Sequence, residues 1–220
     1  MPSPDLPVTW ELVLMLAALV ALTGALLRVP YRILWTSQGA QHLFFAACLG
    51  LSLLWLVRAG ITPGLAVHFL GVTAVTLLVG WPLAILATLA ASVAVAVGLH
   101  QSWLMVVFEF TLSGVLPVLV SQGVRLALER LFPPHLFIYL LGGAFAGGIL
   151  AGLVSRGSTA LVLLFSGTYA ADRIGSEMAV IVGLTALPEG VINGMIISVL
   201  AVYRPKWLKG FDDSRYLGEG

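Results

Sequence analysis

Long apolar runs occupy most of the chain, and they constrain its fold more than any other feature. A membrane-spanning helix needs about 20 mostly apolar residues. Seven runs are candidates: Trp10–Leu27, Gln41–Val57, Gly64–Val79, Pro82–Leu99, Trp103–Leu126, Leu136–Ser155 and Met178–Tyr203. Only 10% of the 220 residues are charged, whereas a soluble domain carries about 25%. The sequence therefore predicts an all-α membrane protein, a bundle of about seven transmembrane helices.

One further apolar stretch, Ser158–Ala171, is too short for a span and is predicted to be interfacial or re-entrant. The amino terminus has no basic residue before the first run and carries Asp5, so we expect a retained first helix rather than a cleaved signal. Residues 1–220 are interpreted as a single polytopic transmembrane domain with a short cytoplasmic tail at 204–220.

The basic residues are distributed unevenly between the two sides that seven spans would create. One side holds eight: Arg28, Arg32, Arg125, Arg130, Arg204, Lys206, Lys209 and Arg215. The other holds three: Arg58, Arg156 and Arg173. Cytoplasmic loops are enriched in Lys and Arg, so the N-terminus is predicted outside and the C-terminus in the cytoplasm. The predicted location is the cell inner (plasma) membrane. An eighth span at Ser158–Ala171 would divide the basic residues six against five between the two sides. The stronger asymmetry therefore favours seven spans.

Ionisable side chains at membrane depth are costly and often mark function. Under this topology His68, Glu11, His100 and Glu109 lie in the outer half of the bundle. Imidazole and carboxylate together suit a borderline divalent cation. The same histidines are equally interpretable as hydrogen-bond donors between helices, and Glu11 as a group that simply reaches water.

Three further polar residues lie within predicted spans and have a structural or a functional role: Glu189, Asn193 and His42. Glu189 follows Pro188, and we expect it either to be protonated or to accept hydrogen bonds from backbone donors that the proline kink frees. His42 begins the second span and is expected at the interface. Small residues at four-residue spacing, such as Gly148 and Gly152, predict close helix packing, within the bundle or against another membrane subunit.

Several function classes are excluded by what the sequence lacks. Its one cysteine, Cys48, rules out a disulfide within the chain and a cysteine-based zinc cluster. No Gly-x-x-x-x-Gly-Lys-Ser/Thr loop is present, so the chain does not hydrolyse ATP through a P-loop. No hydrolase or metalloprotease motif and no basic stripe for nucleic acid occurs. We therefore expect a protein that is not an enzyme and that binds no nucleic acid.

Two motifs resemble a known family. The stretch Gly64-Leu65-Ala66-Val67-His68-Phe69-Leu70-Gly71, followed by an apolar run ending in Gly80-Trp81-Pro82, is similar to a segment of the cobalt/nickel permeases of the CbiM/NikM type. The last span, with Pro188-Glu189-Gly190 and Asn193-Gly194, resembles the Gly-Glu-Gly segment of that family's final helix. The order of spans between about Gln41 and Tyr203 also matches.

The resemblance implies a substrate-binding membrane subunit of an energy-coupling-factor uptake transporter (an ABC transporter type). Its substrate would be a divalent metal, Co or Ni, and its partners a transmembrane coupling subunit, cytoplasmic ATPases and the surrounding lipid. Of the family's metal-binding histidines, His68 is the one that this chain matches. Members of the family begin Met-His, whereas Pro2 stands second here and has neither an imidazole nor a backbone N–H. Either Glu11, His100 or Glu109 substitutes, or the chain belongs to a divergent branch of the family with another substrate or no transport role.

A different function is also consistent with the sequence. The bundle would then take no part in transport and would hold a metal, a haem or a partner complex. His42 and His68 would be the candidate axial ligands of a haem, although the predicted topology places them near opposite faces of the membrane.

Overall fold

A computed structural model describes residues 4–60, 62 and 64–209 of the chain. The helices are, in chain order, α1 (Val8–Arg28), α2 (Tyr31–Thr36), α3 (Gln38–Leu56), α4 (Val72–Val79), α5 (Trp81–Gly98), α6 (Trp103–Leu131), α7 (Ile138–Phe165) and α8 (Ala171–Tyr203). All except α2 and α4 are long and apolar enough to cross a membrane. The part of the chain that is described contains no strand. The predicted fold class, an all-α membrane protein, is confirmed.

Local sequence signals set several of the helix ends. Ser37 begins α3 and accepts a hydrogen bond from the Ala40 N–H at 3.3 Å, and Ser102 does the same for α6 with Met105 at 3.4 Å. Such caps satisfy backbone donors that have no partner within the helix. Helix α6 contains a π-helical stretch at Phe110–Val115, and α7 begins with one at Ile138–Ala146.

The prediction of a continuous helix at Gly64–Val79 is wrong. The described residues between 57 and 71 (57–60, 62 and 64–71) form an irregular segment, called segment 57–71 below, and only Val72–Val79 is helical. Gly71 precedes the helix with φ at +64°, a left-handed conformation that glycine adopts without strain. A Cβ atom at this position would also lie 2.9 Å from Leu54 Cδ2. The run Gly64–Val79 is therefore as apolar as a membrane span, but only its second half is helical.

The prediction for Ser158–Ala171 is also wrong. Ser158 to Phe165 continue α7, which runs unbroken from Ile138, and a turn at 166–170 then leads directly into α8. Seen alone, the stretch is too short to span, but it is the end of a longer helix whose interior glycines and Arg156 interrupt the hydropathy signal.

Helices α3 and α5 run in the same direction. Their last residues are adjacent, since a Cβ atom at Gly98 would lie 3.0 Å from Leu56 Cδ2. Their first turns meet at the other end, where Ala40 and Leu83 line one cavity. Consequently the irregular segment 57–71 and α4 together carry the chain from one end of the bundle to the other.

The two ends of the bundle can be named from the chain termini. At the amino-terminal end, Thr168 in the turn after α7 donates to the carbonyl of Asp5 at 3.4 Å. At the carboxyl-terminal end, the Lys209 N–H donates to the carbonyl of Leu77 in α4 at 2.7 Å. Which end faces the cytoplasm stays a prediction from the basic residues.

Apolar side chains cover much of the outer surface. Leu12, Leu16 and Leu19 on α1 are 59–63% exposed. In water such a surface would be costly, whereas lipid is the solvent in which it is stable.

Candidate functional site

The irregular segment 57–71 is folded against the interior of the bundle. Ala59 and Val67 exchange both of their backbone hydrogen bonds, which closes the segment into a narrow loop. The fully buried Trp55 at the end of α3 donates its indole N–H to the carbonyl of Leu70 at 2.9 Å. The His68 ring packs on the same indole, with ring centroids 5.1 Å apart. These contacts fix the position of His68.

His68 is a buried imidazole with no hydrogen bond of normal length and angle to the described residues, and a weak interaction with the Ala66 backbone reaches its ring. Only 4% of the residue is exposed, and neither Nδ1 nor Nε2 has a partner at normal hydrogen-bond geometry within the described part of the chain. Buried polar atoms in proteins are nearly always hydrogen-bonded, so such an exception calls for an explanation. A ligand that occupies the adjacent space would supply one.

The adjacent space is a small cavity of about 20 Å³. That volume holds about one water-sized species. Its wall combines ionisable, hydroxyl and thioether side chains from the irregular segment and from α6, α7 and α8; these include His68, Glu109, Ser113, Arg156, Thr159, Met105 and Met178. The cavity therefore suits a single ion or water molecule rather than an organic substrate.

Glu109 contributes a carboxylate that is already paired. Both of its oxygens accept hydrogen bonds from the guanidinium of Arg58, Oε1 from Nη1 and Oε2 from Nη2, the latter at 3.1 Å. Only 4% of the Arg58 side chain and 5% of the Glu109 side chain are exposed. Two-point pairing of this kind is the strong geometry for arginine and carboxylate.

Arg156, from the middle of α7, contacts the segment beside His68. Its Nη2 donates to the carbonyl oxygen of His68 itself, and the residue is 6% exposed. The interior thus holds two arginines and two glutamates, whose formal charges cancel.

Glu189 and Asn193 on α8 hold the first turn of α4. The Glu189 carboxylate accepts the N–H groups of Leu70 and Gly71, both at 2.8 Å. The Asn193 side-chain carbonyl accepts the Ala74 N–H at 2.7 Å, while its amide donates to Glu189 Oε1 at 2.8 Å. A carboxylate at the start of a helix satisfies free N–H groups and interacts favourably with the helix dipole.

This arrangement differs from the expectation for Glu189 in one respect. The donors come from the segment before α4, not from backbone groups beside Pro188. The glycines of α7 permit the contact, because a Cβ atom at Gly148 would lie 3.2 Å from Asn193 Cβ and one at Gly152 would lie 3.4 Å from Glu189 Cγ. The small-residue face of α7 therefore packs against α8 within the bundle.

The structure brings together two of the predicted metal-site residues and separates the others. His68 and Glu109 line the same cavity. Among the described residues, Glu11 and His100 are not part of its wall: Glu11 lies in the first turn of α1, and His100 is exposed after α5 with φ at +52°. The structure does not bring them to the cavity that His68 lines.

His42 lies far from His68. It is exposed in the first turns of α3, whereas the His68 ring contacts Trp55 near the other end of that helix. Thirteen residues of α-helix correspond to about 20 Å. This separation argues against a single haem ligated by both residues.

Arg58 and Arg156 are the site residues that sequence reasoning missed. The sequence places both next to span ends on the outer side, but their side chains are buried in the bundle. One signal for Arg156 was available: it follows Gly148 and Gly152 at four-residue spacing and so lies on the same face of α7. No comparable pattern marks Arg58.

The ligand set is small. Within residues 4–60, 62 and 64–209, no group of three or more His, Cys, Asp or Glu residues lies close enough to hold a metal ion. Pro2 and the rest of the first three residues lie outside the described part. Pro4, which is buried, lies beside Gly64 at the wall of the cavity.

Comparison with protein families gives one match. Residues 1–207 match the family described as "CbiM: Cobalt uptake substrate-specific transmembrane region". Comparison with curated proteins and with solved structures returned no match.

Proposed function

The chain belongs to the family of cobalt uptake substrate-specific transmembrane regions, and from this premise we propose that it is the substrate-binding subunit of an energy-coupling-factor-type uptake transporter. The family is one of membrane components of transporters and not of enzymes. We further propose that the substrate is a divalent transition-metal ion, Co²⁺ or Ni²⁺, and that it binds in the cavity beside His68.

The observation that carries the proposal is the buried imidazole. Both ring nitrogens of His68 are buried without a hydrogen bond of normal geometry to the described residues, and the ring lies at the wall of an ion-sized cavity. A neutral imidazole is a good ligand for first-row transition metals of intermediate softness. A bound ion would satisfy one ring nitrogen directly and explain the cavity.

The surrounding residues support this role by holding His68 still. Arg156 donates to the His68 carbonyl, and Trp55 packs on the His68 ring. Glu189 accepts the N–H groups of Leu70 and Gly71, two and three residues further along the chain. Metal sites need ligands whose orientation is fixed by further hydrogen bonds. The irregular backbone is stable at this depth because its polar groups are satisfied by other parts of the protein.

The division of labour proposed for the transporter follows from the sequence. The chain has no P-loop, so energy would come from cytoplasmic ATPases acting through a transmembrane coupling subunit. The bundle would capture its ion from outside and then move as a whole. Glu109 is the acidic group that the described residues contribute to the cavity, and water would complete the coordination.

A binding experiment tests the proposal. Protein purified in detergent and stripped of metal is titrated with Co²⁺ and Ni²⁺ by calorimetry, and metal retained after desalting is quantified. Wild type is expected to bind about one ion per chain, while His68→Ala lowers affinity by about 10-fold to 100-fold or more, as loss of a ligand or its support does.

The matched control is His42→Ala, which removes an exposed imidazole from the other end of the bundle. It should bind like wild type. Absence of binding by wild type, or equal binding by His68→Ala, would overturn the proposed metal site.

A further inference from the structure

The one carboxylate that the described residues contribute to the proposed metal cavity is held by an internal cation. Among the described residues, Glu109 is the one acidic side chain in the cavity wall, and both of its oxygens are engaged by Arg58. A carboxylate oxygen in a short two-point contact with a guanidinium has little capacity left to coordinate a metal ion.

Charge makes the conflict stronger. The formal charges of the two buried arginines, Arg58 and Arg156, cancel those of the two glutamates, Glu109 and Glu189. The Glu189 oxygens already accept hydrogen bonds from two N–H groups before α4 and from the Asn193 amide. A divalent cation that entered the cavity would add two positive charges to this neutral group. Buried like charges repel strongly because the surroundings screen them poorly.

We propose that Arg58 is an affinity-setting residue that competes with the divalent substrate for the Glu109 carboxylate. The inference rests on the proposed function and deepens it. Without substrate, the guanidinium neutralises Glu109 and keeps the irregular segment attached to α6. With substrate, the ion takes the carboxylate together with the His68 imidazole, and Arg58 loses its partner. Weakened affinity is useful to an uptake protein, which must release what it captures.

A purely structural role for the pair predicts the opposite outcome. If Arg58 only anchors the segment that carries His68, its removal would displace the imidazole and weaken binding. If Arg58 competes with the substrate, its removal would leave a carboxylate free and strengthen binding. The sign of the change in affinity therefore decides between the two roles.

The experiment compares Arg58→Met with wild type by calorimetric titration with Co²⁺ and Ni²⁺ in detergent. Competition predicts that Arg58→Met binds about tenfold tighter or more, because one repelling charge is lost and one carboxylate is gained. Arg58→Lys, which keeps the charge but not the two-point pairing, should fall between the two. Equal or weaker binding by Arg58→Met would overturn the inference.

Arg125→Met is the matched control. Arg125 pairs with Glu129 at 2.6 Å one turn along α6, at the other end of the bundle and away from the cavity. It should leave the dissociation constant unchanged, so a gain of affinity in this variant as well would assign the effect to overall charge and contradict the inference.

Arg58→Met is expected to be less stable than wild type without metal, since it leaves a buried carboxylate unpaired. If it fails to purify, it is prepared with Co²⁺ present throughout and alongside the double variant Arg58→Met/Glu109→Gln. Competition is supported if Co²⁺ rescues Arg58→Met and has no such effect on the double variant. Failure of Co²⁺ to rescue it, with recovery in the double variant, contradicts competition.

The two hypotheses fail separately. Loss of binding in His68→Ala with no gain in Arg58→Met would leave the proposed function standing and remove the competition. Equal binding by wild type and His68→Ala would remove the metal site itself, whatever Arg58→Met does.

Discussion

Glu189 is an ionisable residue at membrane depth whose role is structural in a specific way. Its carboxylate accepts three hydrogen bonds, from the N–H groups of Leu70 and Gly71 and from the Asn193 amide. The sequence predicted that Glu189 is important, because an acid inside an apolar span is costly. It does not identify the two backbone donors, since Leu70 and Gly71 lie more than a hundred residues earlier in the chain.

Replacing Glu189 by Ala should destabilise the protein markedly. Two buried N–H groups would lose their acceptor, and we expect a loss of about 2–4 kcal/mol. Thermal unfolding in detergent, followed by circular dichroism, measures this. Glu129→Ala is the control, because Glu129 belongs to a partly exposed pair whose contribution is at most about 1 kcal/mol. Equal stability of the two variants would contradict the role assigned to Glu189.

Arg58 and Arg156 illustrate what residue-level reasoning cannot reach. Each stands close to a predicted span end, where arginine ordinarily extends to the headgroups. Their burial depends on partners on other elements, Glu109 on α6 and the His68 carbonyl in the irregular segment. Such contacts follow from the tertiary fold and not from the local sequence.

At the scale of elements, hydropathy locates the long helices well and fails at two places, Ser158–Ala171, where it misses the end of α7, and Gly64–Val79. The run Gly64–Val79 is apolar enough for a helix, but its glycines at 64 and 71 adopt positive φ values. An irregular backbone is tolerated there because α3, α7 and α8 satisfy its polar groups through Trp55, Arg156 and Glu189. Composition alone does not report that satisfaction.

The contact between α7 and α8 should depend on Gly190. A Cβ atom at this position would lie 2.8 Å from the Phe145 carbonyl oxygen and 2.6 Å from Ile149 Cγ1. Gly190→Ala should therefore cost about 1–3 kcal/mol through overpacking, measured as a lower unfolding temperature.

Gly183→Ala is a control within the same helix. A Cβ atom at Gly183 would meet nothing within 4 Å, and alanine favours helix over glycine by about 1 kcal/mol. This variant should be as stable as wild type or slightly more so. A larger loss for Gly183→Ala than for Gly190→Ala would contradict the described packing.

At the scale of the whole molecule, the parallel course of α3 and α5 is the informative feature. It requires the irregular segment and α4 to return the chain from one end of the bundle to the other. Burial of Arg58 and Arg156 also changes the number of basic residues counted on the predicted outer side. Of the three assigned to that side, Arg173 alone lies outside the interior of the bundle. The predicted orientation, with the N-terminus outside, is thereby favoured more strongly.

Single-cysteine labelling tests this course. In a Cys48→Ser background, which removes the one native cysteine, cysteines are placed at the exposed positions Thr36, Pro134 and Ala170. A membrane-impermeant maleimide added to intact cells should label the cysteine at 170 and reach those at 36 and 134 only after permeabilisation. Labelling of one of positions 36 and 134 but not the other from outside would contradict a crossing by the irregular segment and α4.

The central claim is that His68 binds the transported ion, and X-ray absorption at the cobalt edge tests it most directly. Purified wild type loaded with one equivalent of Co²⁺ should show the multiple-scattering pattern of an imidazole ligand. That pattern should be lost or reduced in His68→Ala and kept in His42→Ala. Cobalt bound without an imidazole in wild type, or an unchanged spectrum in His68→Ala, would contradict the claim.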